Sequence, residues 1–207
     1  MNYIPLNVKT HYELLSSLIK IDELCLYLNS NSINAVGITD SNMFGTMELF
    51  KECNKYNIKP IVGVYFEVQD FKMLLYAKNY DGYVNLLNLV SIRNTSEITL
   101  EVLKKHIDGI ICVTKDYDNF FKYFEVFSDL YLCYSNNAEK TSDLVFTDIV
   151  VYLKESLYIE EDDKEYLMYL NMIIDSKTID DKYNYSYDNA LNYMVSESDS
   201  NTTYEFA

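Results

Sequence analysis

The sequence predicts an α/β fold in which parallel strands close into a distorted β/α barrel covered by helices. Three observations predict it. Strand-like and helix-like segments alternate along most of the chain. The strand-like segments are continuous apolar runs, the pattern of strands buried on both faces. The crossovers are short, and no glycine-rich phosphate loop follows the first strand, which disfavours a dinucleotide-binding sheet and favours closure.

The elements follow in order. Tyr3 to Val8 reads as a short first strand. Ile21 to Asn31 places Ile21, Leu24, Cys25 and Leu28 on one helical face, with Asp22 and Glu23 in the first turn, where negative charge is favoured. Ala35 to Thr39 is a buried strand, and Phe44 to Tyr56 a helix with Met47, Phe50 and Cys53 on its apolar stripe. Pro60 to Val68 and Phe71 to Ala77 are strands. Asp81 to Ile92 is a helix that turns Leu86, Leu87, Leu89 and Val90 inward, and Leu100 to Ile107 is a second, shorter one. Gly109 to Thr114, Leu130 to Tyr134 and Leu144 to Thr147 are strands, with a helix over Asn119 to Phe127. Asp162 to Ile174 is a helix carrying Leu167, Leu170 and Ile173, and Glu160 to Asp163 caps its start. The domain is expected over residues 1–180. Residues 181–207 are more polar and read as a partly frayed segment leading out of it, in which Asp188 to Val195 could add one helix.

Composition excludes several function classes. A net charge of −15 with Arg93 as the sole arginine argues against direct binding to a nucleic-acid backbone, which needs clustered cations. No apolar run reaches the roughly 18 residues of a membrane span, and the start lacks the basic region of a secretory signal. A cytoplasmic location is the expectation. Cys25, Cys53, Cys112 and Cys133 are scattered in apolar contexts, as buried free thiols are. No G-x-S-x-G elbow, P-loop or Cys-His nucleophile pair is present, and two histidines leave most hydrolase mechanisms short of parts.

The ordered motifs carry a family resemblance. Thr10-His11-Tyr12-Glu13-Leu14-Leu15, then Ile38-Thr39-Asp40-Ser41-Asn42-Met43-Phe44-Gly45, Phe50-Lys51-Glu52-Cys53 and Ile58-Lys59-Pro60-Ile61-Val62-Gly63 stand in sequence. Leu75 to Asn79, Gly82 to Leu87 and Thr147 to Leu153 follow. Together they resemble the N-terminal polymerase-and-histidinol-phosphatase (PHP) domain of bacterial DNA polymerase III alpha subunits. The resemblance implies a distorted barrel of about seven strand–helix units. It also implies a longer parent chain, a DNA-directed DNA polymerase (a nucleotidyltransferase) whose own carboxylates lie elsewhere. The abrupt end at Ala207 is what a piece of such a chain is expected to show.

In members that keep their ligands, the resemblance implies a trinuclear metal site used for phosphoester hydrolysis or 3′–5′ proofreading. Here the H-x-H positions of the first strand hold Asn7 and Lys9. The Asp-His turn is Asp40-Ser41. Tyr65 stands at the acidic position of the third strand and Lys72 at the histidine that opens the next. Asp116 aligns loosely with a Cys or His ligand, and Ile149 and Val151 replace the late Asp-x-His pair. Asp40 is the one clear surviving ligand position; a lysine ammonium repels a cation and asparagine is a poor transition-metal ligand. Asp40 is expected instead to bond backbone N–H groups of its own turn. His11 lies two positions out of register, and His106 complements the end of a helix.

These readings imply a domain with no catalytic residues, no metal and no cofactor, active in DNA replication as a structural or docking module. Its partners would be the rest of the alpha chain and other replisome proteins, not DNA and not a membrane. The enzymatic alternative is a divergent phosphoesterase or exonuclease using Asp40, Asp116, Asp148 and His11 in a reduced site. A free-standing protein-binding module is a third reading. The stretch between Tyr134 and Leu144 is too short for the usual helix, so the barrel is expected to be shortened there.

Overall fold

The structure is a computed structural model that describes residues 3–69, 71–135, 150–178, 190–191 and 195–207. The first half of the chain runs β1 (Asn7–Val8), α1 (Ile21–Ser30), β2 (Ala35–Ile38), α2 (Thr46–Tyr56), β3 (Lys59–Val68) and β4 (Phe71–Ala77). It continues through α3 (Tyr80–Arg93), α4 (Leu100–Lys104), β5 (Ile110–Thr114), α5 (Phe120–Phe124) and β6 (Leu130–Tyr134). After residue 149 come β7 (Val150–Tyr152), β8 (Glu155–Ser156), a 3₁₀ turn (Glu161–Asp163), α6 (Lys164–Ile174) and α7 (Glu197–Phe206).

Local chemistry sets the helix ends. The Asn79 side chain accepts the Gly82 N–H at 2.9 Å and starts α3, while Arg93 lies in its last turn. Glu160 and Asp163 form a reciprocal capping box ahead of α6, as the acidic run predicts. Asn57 takes the left-handed conformation just past α2, φ 55°, and closes it.

The described residues form one eight-stranded sheet ordered β7-β6-β5-β4-β3-β2-β1-β8. All pairings are parallel except those of β4, which runs antiparallel to both β3 and β5. The expectation of parallel strands fails at this point for a local reason. Val68 pairs with Phe71, so the chain reverses in a tight hairpin at Gln69, φ 55°, with no length for a crossover helix.

Closure comes from the segment 150–156. Its first half pairs with β6 (Cys133↔Val151) and its second half with β1 (Asn7↔Glu155), so one stretch of chain serves both ends of the sheet. The barrel interior is filled from each side by Leu6, Ile61, Leu74, Tyr76, Val113 and Val151. The buried Tyr76 hydroxyl donates to the Leu6 carbonyl at 2.9 Å across it. Outside the sheet, α1 and α2 bury Leu24, Leu28, Leu49 and Cys53 against β2, and α3 and α4 bury Leu86, Leu89 and Leu103 against β3 to β5. The four cysteines are free and buried. Among the described residues no helix is long and apolar enough to cross a membrane.

Several elements differ from the sequence reading. β1 is shorter than Tyr3 to Val8, because Pro5 has no N–H to donate and the Ile4 N–H is taken by Thr203 Oγ1 at 3.0 Å. On α2 the buried residues are Thr46, Leu49, Glu52 and Cys53, leaving Met47 and Phe50 72% and 43% exposed. Leu87 of α3 and Ile173 of α6 likewise face outward. The end expected to be frayed contains α7, whose buried residues Asp199, Ser200 and Thr203 are all polar. Thr203 satisfies Ile4, Thr202 Oγ1 accepts from the Tyr152 N–H at 3.0 Å, and Tyr134 donates its hydroxyl to Asp199. Phe206 then sets its ring edge-on to Tyr76 and Tyr131, centroids 5.3 and 5.1 Å away. The predicted strand at Leu144 to Thr147 and the shortened stretch before it lie outside the described residues. So does most of the predicted helix over Asp188 to Val195.

The close approach of α3 to the turn before β5 generates a test. A Cβ on Gly82 would stand 1.8 Å from the Gly109 carbonyl oxygen, and Gly109 itself is at φ +71°. Gly82→Ala regains at most about 1 kcal/mol of helix propensity, but a clash with backbone, which cannot turn aside as a side chain can, stands at the upper end of the overpacking range, about 3 kcal/mol. Calorimetry should therefore show a fall in Tm of several degrees.

The barrel mouth as candidate site

In a barrel of this kind the parallel strands bring their C-terminal ends to one rim. At that rim lies a cavity of about 260 Å³ walled by Asn7, Tyr65, Lys72, Leu74, Val113, Leu153 and Glu155, among others. Three of the residues at the family's ligand positions, Asn7, Tyr65 and Lys72, thus meet in space. Lys9 joins them from behind. It is only 7% exposed. Its ammonium donates to the Thr39 carbonyl and lies 5.0 Å from the Tyr65 ring centroid, over the negative face of the ring.

The neighbours of this lysine are tightly bonded. Thr39 Oγ1 donates to Asn7 Oδ1 at 2.6 Å. Asp40, 1% exposed, accepts the Thr10 N–H at 2.6 Å through one oxygen and the Thr10 hydroxyl at 2.5 Å through the other. The expectation that Asp40 bonds its own following turn is therefore corrected, since its partner comes from the loop after β1. That loop and the β2 loop are clasped a second time. The Glu13 carboxylate receives the Ser41 N–H and, at 2.8 Å, the Ser41 hydroxyl. Arg93 reaches in from α3, donates to the Ser41 and Tyr65 carbonyls and covers the Phe66 ring at 4.9 Å.

The remaining residues singled out in the sequence go elsewhere. Asp116 accepts from the Asn119 N–H at 3.1 Å and from its amide, ordering the turn before α5. Val151 is buried in the barrel interior. His11 stacks on Tyr12 with centroids 4.3 Å apart, and its buried Nδ1 has no hydrogen-bond partner. His106 lies beyond α4, with Nδ1 3.4 Å from Asn85 Oδ1. Asp148 and Ile149 lie outside the described residues. Thr10, Glu13, Arg93 and Glu155 escape the sequence reading. Glu13 and Thr10 stand inside a quoted motif, yet nothing in their spacing tells that they clasp the β2 loop.

Electrostatics follow from burial. Desolvation lowers the Lys9 pKa below its ordinary 10.5, against the opposing pull of Glu13, Glu155 and Asp40. Desolvation also raises the Asp40 pKa above its ordinary 3.8, and the two Thr10 hydrogen bonds oppose it. The Tyr65 phenol is pushed up to about 12 by burial and by its hydrogen bond to Glu67, so it is neutral at pH 7. The donor set does not fit a cluster of divalent cations. Both Asp40 oxygens are engaged, Asn7 Oδ1 is engaged, Tyr65 keeps its proton, and an ammonium stands among them. Among the described residues, no three His, Cys, Asp or Glu side chains gather as a cation site.

Two tests arise from this geometry. Thr10→Val leaves a buried carboxylate without its hydroxyl donor. Urea denaturation should register a loss of about 1.5–3 kcal/mol, the range for hydrogen bonds to charged groups. The second test is pH dependence. Between the lowered Lys9 value and 10.5, the unfolded chain binds the proton more strongly than the folded one, so this group makes stability rise with pH across that window. In a pH series, Lys9→Met should abolish that rise.

Comparison with known proteins places this chain in a family. The model of the PHP domain family matches residues 5–164. The chain is 37% identical over 115 residues to the DNA polymerase III subunit alpha of Ureaplasma parvum serovar 3, covering 55% of this chain and 12% of that protein. It is 29% identical over 187 residues to the corresponding subunit of Staphylococcus epidermidis, covering 84% and 17%. It is 34% identical over 100 residues to that of Mycoplasma genitalium, covering 46% and 11%. The chain thus spans less than a fifth of the length of these relatives. With a barrel closed by one shared segment, a mouth at the expected strand ends and a family match over most of its length, this chain belongs to the PHP domain family and is homologous to the N-terminal PHP region of DNA polymerase III alpha subunits.

Proposed function

We propose that this chain is the PHP module of a replicative DNA polymerase III alpha subunit, catalytically silent by itself and serving as a structural or docking platform. The observation that carries the reading is the position of Lys9, whose buried ammonium stands among the groups that a metal site would need free. The homology to alpha subunits supplies the context, and the rest of that chain is the foremost partner. Other replisome proteins are further candidates. The net charge of −15 supports contact with protein in place of the DNA backbone. A replication protein of this kind acts in the cytoplasm.

A platform role suits the physical construction. The loops at the mouth are clasped by Asp40–Thr10, Glu13–Ser41 and Arg93, so the rim is held in one arrangement. Hydrolysis by a reduced site would need Asp40 and Asp116 free to bind a cation, and each is committed to hydrogen bonds, Asp40 with Thr10 of the loop after β1 and Asp116 with Asn119 of its own turn.

The deciding experiment is elemental analysis of protein purified without chelator, combined with a 3′–5′ exonuclease and phosphomonoesterase assay in added Mn²⁺. The expected result is zinc and manganese far below one ion per chain and no turnover. Stoichiometric metal with chelator-sensitive hydrolysis, abolished by Asp40→Ala, overturns the reading.

A further inference from the structure

We infer that Cys25 and Cys53 form an oxidation site, a dithiol that a peroxide converts into a disulfide joining α1 to α2. The site lies outside the sheet, away from the mouth, and stands whether or not the proposed function does. The approach of the two sulfurs carries it. Their Sγ atoms lie 3.7 Å apart, although the residues are 28 positions apart in the chain. Both side chains are fully buried in the apolar packing of α1 and α2 over β2, among Leu24, Leu28, Leu49 and Ile58. In that setting each thiol has the other as its hydrogen-bond partner. Rotation about the Cα–Cβ bonds, with a small adjustment of one helix against the other, closes the remaining gap.

The two thiols are chemically unequal. The hydrogen bond between them lowers the pKa of Cys25 and raises that of Cys53, so Cys25 is the sulfur that reaches the thiolate first. The Cys25 thiolate attacks one oxygen of hydrogen peroxide, and the O–O bond breaks. The sulfur becomes a sulfenic acid, and the departing hydroxide takes up the proton that Cys25 released, giving water. Cys53 then attacks the Cys25 sulfur, the S–O bond breaks, and hydroxide leaves with the Cys53 proton as a second water. Two thiols have lost two electrons, and one peroxide has gained them. Burial makes the reaction slow, since peroxide reaches the thiols only during local opening of the helix pair. The new bond closes a loop that contains β2 and the Asp40–Ser41 turn, and a loop of that length restricts the unfolded chain. Cys112 and Cys133 are not set against each other in this way. Cys112 packs with the helices outside the sheet and Cys133 in the barrel interior, so the sheet stands between them.

The test uses the whole chain, folded, as wild type, Cys25→Ala and Cys53→Ala. Each is incubated with hydrogen peroxide in native buffer, blocked with iodoacetamide in denaturant and mapped by mass spectrometry without reduction. Thermal unfolding is followed before and after oxidation. In wild type the peptides holding Cys25 and Cys53 should be joined, with the loss of two hydrogens, while Cys112 and Cys133 are recovered alkylated. The wild-type Tm should rise by several degrees and return to its starting value with dithiothreitol. Neither variant should form a link or gain Tm. A wild type whose Cys25 and Cys53 are recovered unlinked overturns the inference, as does a link that forms only in denaturant or involves Cys112 or Cys133. A Tm that falls as the link forms, or that rises equally in either variant, overturns it too. Mapping of the wild type decides the matter even where a variant fails to fold.

Discussion

The segment 150–156 is paired along its first half with β6 and along its second half with β1. Everything else in the architecture depends on that shared use of one stretch of backbone. A sheet of this length leaves two edges with unpaired N–H and C=O groups, and exposed edges invite association. Here both edges end on the same short segment. The chain therefore bends between Tyr152 and Glu155, and the strand ends on either side are brought around one rim. The mouth cavity draws its walls from strands at opposite ends of the sheet order, Asn7 and Glu155 on one side and Cys133 on the other, and exists only because the ends meet.

Closure creates an interior that must be filled and a rim that must be neutralised. The interior is filled with aliphatic and aromatic side chains, and the Tyr76 hydroxyl finds a carbonyl so that its burial leaves no orphan donor. At the other end α7 meets the sheet through threonine hydroxyls, which accept backbone N–H groups that strand pairing leaves over. The rim carries the charged groups. Asp40 and Lys9 are both nearly inaccessible, and each is satisfied by a partner from the neighbouring strand end. Buried charges of this kind add little net stability, but removing one partner is expensive. They hold one arrangement of loops in preference to others.

The candidate site was legible in part. Asp40 stood out because an apolar strand delivers an acid to a polar turn, and the replacements at Asn7, Lys9, Tyr65 and Lys72 could be read off by position. Their meeting at one mouth followed from strand direction. The bonds between them did not. Thr10 lies thirty positions from Asp40, and Glu13 a similar distance from Ser41, so local spacing carries no trace of either contact. The α2 stripe differs at two of its three expected positions for a related reason, since Cys53 is buried and Met47 and Phe50 are not. Met47 and Phe50 are apolar and correctly spaced for a helix, but the face turned to the sheet is one residue away, where Thr46, Leu49 and Cys53 fit the close approach of α1.

The sequence by itself determined the α/β class, the places of α1, α2, α3, β2, β3, β4, β5 and β6, the burial of the cysteines and the family, because these rest on local periodicity, capping and ordered motifs. Tertiary structure alone decided the reversal of β4, the bridging role of 150–156, the polar docking of α7 and the placing of the Lys9 ammonium against Thr39 and Tyr65. Each of these is a pairing between groups far apart in the chain. Their energy comes from backbone donors finding acceptors and buried charges finding counterparts, and a one-dimensional pattern records the groups without recording which of them meet.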